Sequence, residues 1–397
     1  MPNLFAYIVL LGWPAIVACF FWKLEVPKAI IWSILLAYLF LPVGAAVDLP
    51  LIPALDKHRL PSLTVFVICL FLLRKSKAGR KVHDSSSNIN VEISESHRSN
   101  WYLVFRTLLL LLVITPFFTV LSNSSPIFFG PRYLPGLDLY DGISILSKAL
   151  ITILPLLLAK RFLATPERHV LLLSALCLAG VFYSLFILFE VRMSPQLNRW
   201  IYGFFPHSFS QHMRAGGFRP IVFLQHGLWV SLFCAMCLLA AGALWRQTKE
   251  LHWILAVIWL LFTLYLTKSL GAFTLTILFL PVLFFLRVRG QLLFATCIAV
   301  CVLIYPLLRG AGAIPVDTVY EWAQSVDESR GQSLKTRLDN EDALLIRAGE
   351  RPLAGWGGYE RALIFDPVTG ENESITDGAW IIIMGNSGWL GYLTTYG

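Results

Sequence analysis

The sequence predicts an all-α fold, a polytopic transmembrane helical bundle of about 11 spans with a large, partly helical external loop before the last span. Three observations predict it. Hydrophobic residues make up 57% of the chain and charged residues only 14%, and the mean hydropathy is +0.68, far more apolar than an ordinary soluble domain. Apolar runs near the roughly 20 residues needed to cross a hydrocarbon core recur from one end to the other. Their Leu, Ile and Phe residues do not alternate with polar ones, which argues against the strands of a closed barrel.

In order, the runs lie near Leu4 to Trp22, Ala29 to Val47, Leu60 to Leu73, Trp101 to Leu121, Gly142 to Ala159 and Val170 to Phe189. Ile221 to Leu244, Trp253 to Leu266, Leu270 to Leu286, Gln291 to Leu308 and Ala379 to Gly397 follow. The first is too uniformly apolar, and too poor in basic residues at its start, for a cleaved signal, so it reads as a span. The last is barely long enough and has no anchor after it, which reads as a chain cut short. Residues 1–308 are expected to form the bundle, 309–378 a periplasmic loop and 379–397 the final span. All seven cysteines fall inside apolar runs. Cys234 and Cys237 have a CxxC spacing without a second pair and are read as small packing residues.

Residues 74–100 have no apolar periodicity and are rich in Ser, Asn and charge, so they read as a flexible loop whose Lys/Arg cluster marks the cytoplasmic side. Counting spans from there places the loop 190–220 and the loop 309–378 on the opposite face. Four runs lie between Pro220 and Arg309, an even number, so Arg214 and Arg219 are expected on the same side as Arg330 and Arg337. A guanidinium presents a planar fork of donors that matches phosphate oxygens. Gly216 and Gly217 allow a tight turn beside Arg214, and Arg219 stands at the start of the next run, where a headgroup anchor is the alternative reading. His207, His212 and His226 are read as structural hydrogen-bonders.

The stretch Arg337 to Glu350 mixes polar residues with Leu338, Leu344, Leu345 and Ile346, compatible with an amphipathic surface helix. Gly355-Trp356-Gly357-Gly358 reads as a turn. Arg337 could instead pair with Asp339 or Glu341. Asp377, just before the final run, is placed either to accept a proton from a sugar hydroxyl or to cap the last helix. Lys148, inside an apolar run, reads as a snorkelling or cavity-lining cation. No compact His, Cys and carboxylate cluster offers a metal site, and no cofactor or nucleic-acid partner is expected.

The order of these features resembles the O-antigen ligase and polymerase family of bacterial membrane glycosyltransferases. The resemblance is carried by Arg214-Ala-Gly-Gly-Phe218, Lys268-Ser269-Leu270-Gly271-Ala272, and Arg337 followed by Pro352-Leu353-Ala354-Gly355-Trp356-Gly357. Asp377-Gly-Ala-Trp380 and Gly388-Trp-Leu-Gly391 complete it. It covers roughly the second half of the chain. The family's Ser-Arg pair is Ser269-Leu270 here, and its ligases carry a histidine where this chain has Asp377, which tilts the reading toward a polymerase.

The resemblance implies a metal-independent transferase of the bacterial inner membrane with its active site on the periplasmic face. It would extend a surface polysaccharide or exopolysaccharide from undecaprenyl-diphosphate-linked glycan, amid membrane lipid and with other polysaccharide-assembly proteins as further partners. Arg214 and Arg337 would hold the diphosphate, helped by Arg219 and Arg330, and Asp377 would be the base. The alternatives are an O-antigen ligase acting on a lipid acceptor and a lipid-linked glycan flippase; no convincing similarity between the two halves supports the repeats common in transporters.

Overall fold

The computed structural model describes residues 1–49, 52–80, 95–214, 216–326 and 328–397. Side chains are not described at 49, 52, 75–80, 95–102, 214, 319, 322, 326, 329, 330 and 333. Fourteen α-helices are described: α1 Leu4–Lys23, α2 Val26–Phe40, α3 Arg59–Arg80, α4 Glu95–Ser122, α5 Leu139–Phe162, α6 Pro166–Met193 and α7 Leu197–Tyr202. The remainder are α8 Gly227–Thr248, α9 Leu251–Leu266, α10 Leu270–Phe285, α11 Val288–Gly310, α12 Val316–Val326, α13 Glu328–Gly349 and α14 Ala379–Tyr396. Three short antiparallel hairpins occupy loops: β1 Val47–Leu49 with β2 Ile52–Leu55, β3 Ile127–Phe129 with β4 Arg132–Leu134, and β5 Met213–Arg214 with β6 Gly217–Phe218. Among the described residues, six helices are long and apolar enough to cross a membrane, namely α1, α4 over Leu103–Ser122, α5, α6, α8 and α11; α2, α9 and α10 are shorter apolar helices. Large apolar side chains such as Leu292, Leu293 and Leu307 on α11 stand exposed, as suits a helix whose solvent is hydrocarbon.

The chain divides into two compact units, Met1–Ser87 with Leu150–Phe294, and Asn88–Ala149 with Ala295–Gly397. In the first, α8 packs against α6, α9 and α10. Small residues permit close approach there: a Cβ on Gly180 of α6 would stand 2.4 Å from the Cβ of Cys237, so the CxxC cysteines, both free and buried, serve helix packing. The apolar run starting at Ile221 does not begin as a helix. Residues Ile221 to Leu224 are buried but irregular, Val222 has φ 52°, and α8 starts only at Gly227. Buried Glu190 satisfies that backbone, its Oε2 accepting the N–H groups of Ile221 at 2.8 Å and Val222 at 2.7 Å, and its Oε1 that of Leu197 at 3.0 Å. Backbone left out of a helix must find such partners when buried.

In the second unit α14 packs on α4 and α13, and α12 on α13. Part of the stretch 74–100, expected as a loop, is helical. α3 continues to Arg80 and α4 begins at Glu95, because Lys, Arg, Glu and Ser tolerate helix once a packed segment has nucleated it; residues 81–94 lie outside the described residues. The amphipathic helix expected from Arg337 begins earlier, at Glu328, and α12 precedes it. Arg309, at the assigned start of the polar loop, still belongs to α11 and is buried, its Nη2 2.8 Å from Asp342 Oδ1. Lys148 is exposed on α5.

Candidate functional site

The second unit brings a set of charged side chains together at the start of α14. Arg337 and Asp377 form an ion pair, Nε to Oδ2 3.0 Å, with the two side chains 57% and 48% exposed. The alternatives weighed from sequence are thereby corrected. Arg337 turns to Asp377 rather than to Asp339 or Glu341, because the chain entering α14 runs beside α13. Asp377 is not the cap of α14, since Gly378 holds that position and makes no side-chain cap.

One helical turn beyond Arg337, on the same face of α13, is Glu341. Its Oε1 accepts the Trp380 indole N–H at 3.1 Å and lies 2.8 Å from where a Cβ on Gly378 would stand. Burial raises the pKa of Glu341; the Trp380 hydrogen bond and Arg309 pull it down, while Asp342 and Asp377 push it further up. Two carboxylates thus stand close with different surroundings, one exposed beside a guanidinium, the other half-buried and with increased proton affinity, a division seen where acid and base roles are split. Sequence inspection missed Glu341 because it has the spacing of an ordinary solvated i, i+4 partner of Arg337; the aromatic Trp380 just after Asp377 was the one available signal.

The Pro-Leu-x-Gly-x-Gly element and the Gly-x-x-Gly element, separate pieces of the sequence pattern, meet in space. α14 breaks at Gly388, with φ 59° and ψ −160°. The N–H groups of Trp389 and Leu390 released by the break donate to Pro352 O at 2.8 Å and Leu353 O at 3.1 Å. In return Trp356 and Gly357 donate to Gly385 O at 2.8 Å and Asn386 O at 2.9 Å. Gly355 and Gly357 have positive φ, and a Cβ on Gly355 would lie 2.5 Å from the Asn386–Ser387 backbone. The glycines therefore make a turn that docks on the helix, and they cradle main chain rather than phosphate.

Around that turn sits a cationic cluster that sequence reading did not single out. The Arg347 guanidinium lies 3.4 Å and that of Arg351 4.7 Å from the Trp356 ring centroid. Arg361 is 1% exposed and donates to Pro135 O at 2.5 Å and Ser125 O at 3.0 Å. Desolvation lowers its pKa, and Arg351 and Arg347 lower it further. Glu350 pairs with Arg347 at 2.6 Å.

Of the first unit's predicted residues, Arg219 is 3% exposed, which corrects its reading as a headgroup anchor. Its side chain packs on Gly227, where a Cβ would stand 2.8 Å away, and Nη2 lies 3.5 Å from Ser269 Oγ. Lys268, φ 55°, brings its ammonium over Gly217. His207, His212 and His226 cluster with ring centroids 4.9 to 5.7 Å apart. His226 Nδ1 accepts the Leu228 N–H at 3.2 Å and starts α8, a structural role as expected. Among the described residues no group of three or more His, Cys, Asp or Glu is arranged to hold a metal ion. The side chains of Arg214 and Arg330 lie outside the described residues. Arg214 and Arg219 belong to one unit, Arg337 and Asp377 to the other.

Comparison of the chain with protein-family models, with curated proteins and with solved structures yields no match.

Proposed function

We propose that this protein is a multi-pass membrane glycosyltransferase of about 11 spans, set in the bacterial inner membrane, that polymerises glycan carried on undecaprenyl diphosphate at the periplasmic face. The observation that carries the reading is the exposed Arg337–Asp377 pair beside Glu341, where the polar segment meets the final apolar helix. Arg337 is the cation for the donor diphosphate. It stabilises negative charge that grows on the leaving group as the anomeric bond breaks. Asp377 holds the guanidinium in place until the diphosphate arrives. The acceptor hydroxyl attacks the anomeric carbon, and its proton passes to a carboxylate of this pair of acids. Asp377 is the nearer to the open surface, while burial raises the proton affinity of Glu341. The absence of a histidine at position 377 favours polymer extension over ligation.

The test is incubation of the purified protein with a lipid-diphosphate oligosaccharide. Longer lipid-linked product supports the proposal. Transfer to a different lipid makes the protein a ligase, and a change of sidedness without a new bond makes it a flippase.

A further inference from the structure

We propose that the first unit contains a binding site for a membrane amphiphile with a hydrocarbon tail and a phosphate head, seated between α2, α3, α5, α6 and α8. None of its residues takes part in the proposed transfer; because the donor there is itself a tailed phosphate, the Lys57→Met variant and the position of the cross-link, not binding alone, assign this site.

A cavity of about 700 Å³ opens among these helices, walled by Ile34, Leu35, Ile151, Pro155, Leu176 and Phe233. Ile30 and Tyr38 both line it, and at 1.5 Å per residue they set its length along α2 at about 12 Å. Such walls suit an alkyl chain and offer almost nothing to a sugar or a nucleotide. One end is different. Asp56, Lys57, His58 and Arg59, the turn leading into α3, line the cavity there.

Lys57 is 4% exposed, and its ammonium donates to Phe223 O at 2.9 Å and stands 5.9 Å from the Tyr38 ring centroid. The carboxylate next to it is committed elsewhere: Asp56 Oδ1 accepts the N–H groups of His58 and Arg59, each at 2.9 Å, and its Oδ2 lies 3.4 Å from Arg59 Nη1. Lys57 is thus a buried amine with a neutral carbonyl as its acceptor, although its protonated form has three donors. Burial brings its pKa down to about 7, with Asp56 opposing the shift. Desolvation at this level is offset when an anion enters and hydrogen-bonds the ammonium. A compact ammonium is suited to the oxygens of a phosphate, and the apolar walls fix the other half of the ligand. An anion without a tail would leave the cavity unfilled, and a tail without an anion would leave Lys57 as it is.

The test is native mass spectrometry of the full chain in a neutral maltoside detergent, with dodecyl phosphate as probe and dodecanol, dodecanoate and inorganic phosphate as comparators. Dodecyl phosphate should bind at least tenfold more tightly than any comparator. Lys57→Met and Ile34→Trp should each weaken it at least tenfold, while Lys249→Met, a lysine on another turn, leaves it unchanged. Dodecanol binding equally well would reduce the cavity to a nonspecific apolar groove, and inorganic phosphate binding equally well would leave only an anion site. Equal binding of dodecanoate would refute the phosphate head. Should a variant fail to fold, a diazirine-tailed alkyl phosphate cross-linked to the wild-type chain decides the matter. Labelled peptides from 30–38 and 151–176 support the site, and labelling confined elsewhere overturns it.

Discussion

Replacing Gly388 by alanine tests how the final helix is held to its preceding loop. At φ 59° and ψ −160° the residue occupies backbone space open essentially to glycine alone. An added Cβ would stand 2.5 Å from Leu353 C and O and 2.6 Å from Pro352 O, all main-chain atoms that cannot rotate aside. Backbone strain contributes about 1–3 kcal/mol. Relief by displacement would break the Trp389 and Leu390 hydrogen bonds to the loop, each worth about 1 kcal/mol. The expected loss is therefore about 3–5 kcal/mol, or a fall in melting temperature of roughly 6–15 °C at the 2–3 °C per kcal/mol typical of a large domain. Thermal unfolding of the purified protein followed by tryptophan fluorescence measures it, and limited proteolysis should cut residues 350–378 sooner. Gly271→Ala, where nothing lies within 4 Å of the new Cβ, is the control and should be close to neutral. A Gly388→Ala protein melting with the wild type would refute the account of the break.

The exposed pair at the mouth of α14 separates stability from chemistry. Asp377→Asn should change stability by less than about 1 kcal/mol and abolish glycan extension; long polymer in cells carrying it would remove Asp377 from the reaction. Arg337→Lys keeps charge but loses the planar fork, and a normal chain-length distribution would count against a phosphate role. Glu341→Gln keeps an acceptor for the Trp380 indole while removing a carboxylate whose folded pKa is raised. The folded state therefore binds its proton more tightly, stability falls as pH rises through that pKa, and the variant should melt above the wild type at pH 7.5. Its transfer rate should drop about 100-fold or more if Glu341 takes the proton. Lys57 has the opposite sign of shift with the opposite charge: its pKa falls from 10.5 to about 7. The unfolded chain holds the extra proton between those values, so stability rises with pH across that window. The gain in melting temperature from Lys57→Met should be largest below pH 7 and shrink toward pH 10.5; a constant difference would show that Lys57 is not the group responsible.

Each of the eleven apolar runs visible in the sequence contains a helix, because length and hydropathy are local properties of a chain meant for hydrocarbon. What the runs conceal is backbone. Ile221 to Leu224 are as apolar as any helix, and their irregular course depends on Glu190, some thirty residues earlier. The turn at Gly355 to Gly358 was legible from its glycines, yet its docking on α14 was not, since the helix break rests on main-chain bonds that carry no residue signature. Asp377 was picked out from its position just before the last run, and Arg337 from a loop expected on the same face as Arg214. Glu341 was passed over because its tuning comes from burial against Trp380 rather than from its spacing. Nothing in the sequence singles out Arg361; its acceptors are carbonyls of Pro135 and Ser125, which could have been carbonyls of any residues.

Those two carbonyls bear on the order in which the chain matures during synthesis. Ser125 and Pro135 leave the ribosome more than two hundred residues before Arg361, and the second unit as a whole is assembled from 88–149 and 295–397. The first unit has all its residues by Phe294, so it can consolidate while the early half of the second still lacks its partners. Pairings so distant in sequence are slow to form, and the interval leaves polar loop backbone waiting in an unfinished state. Quality control in the cell should therefore act chiefly on this late step, and substitutions at Arg361 should show as reduced amounts of protein before they show as reduced activity.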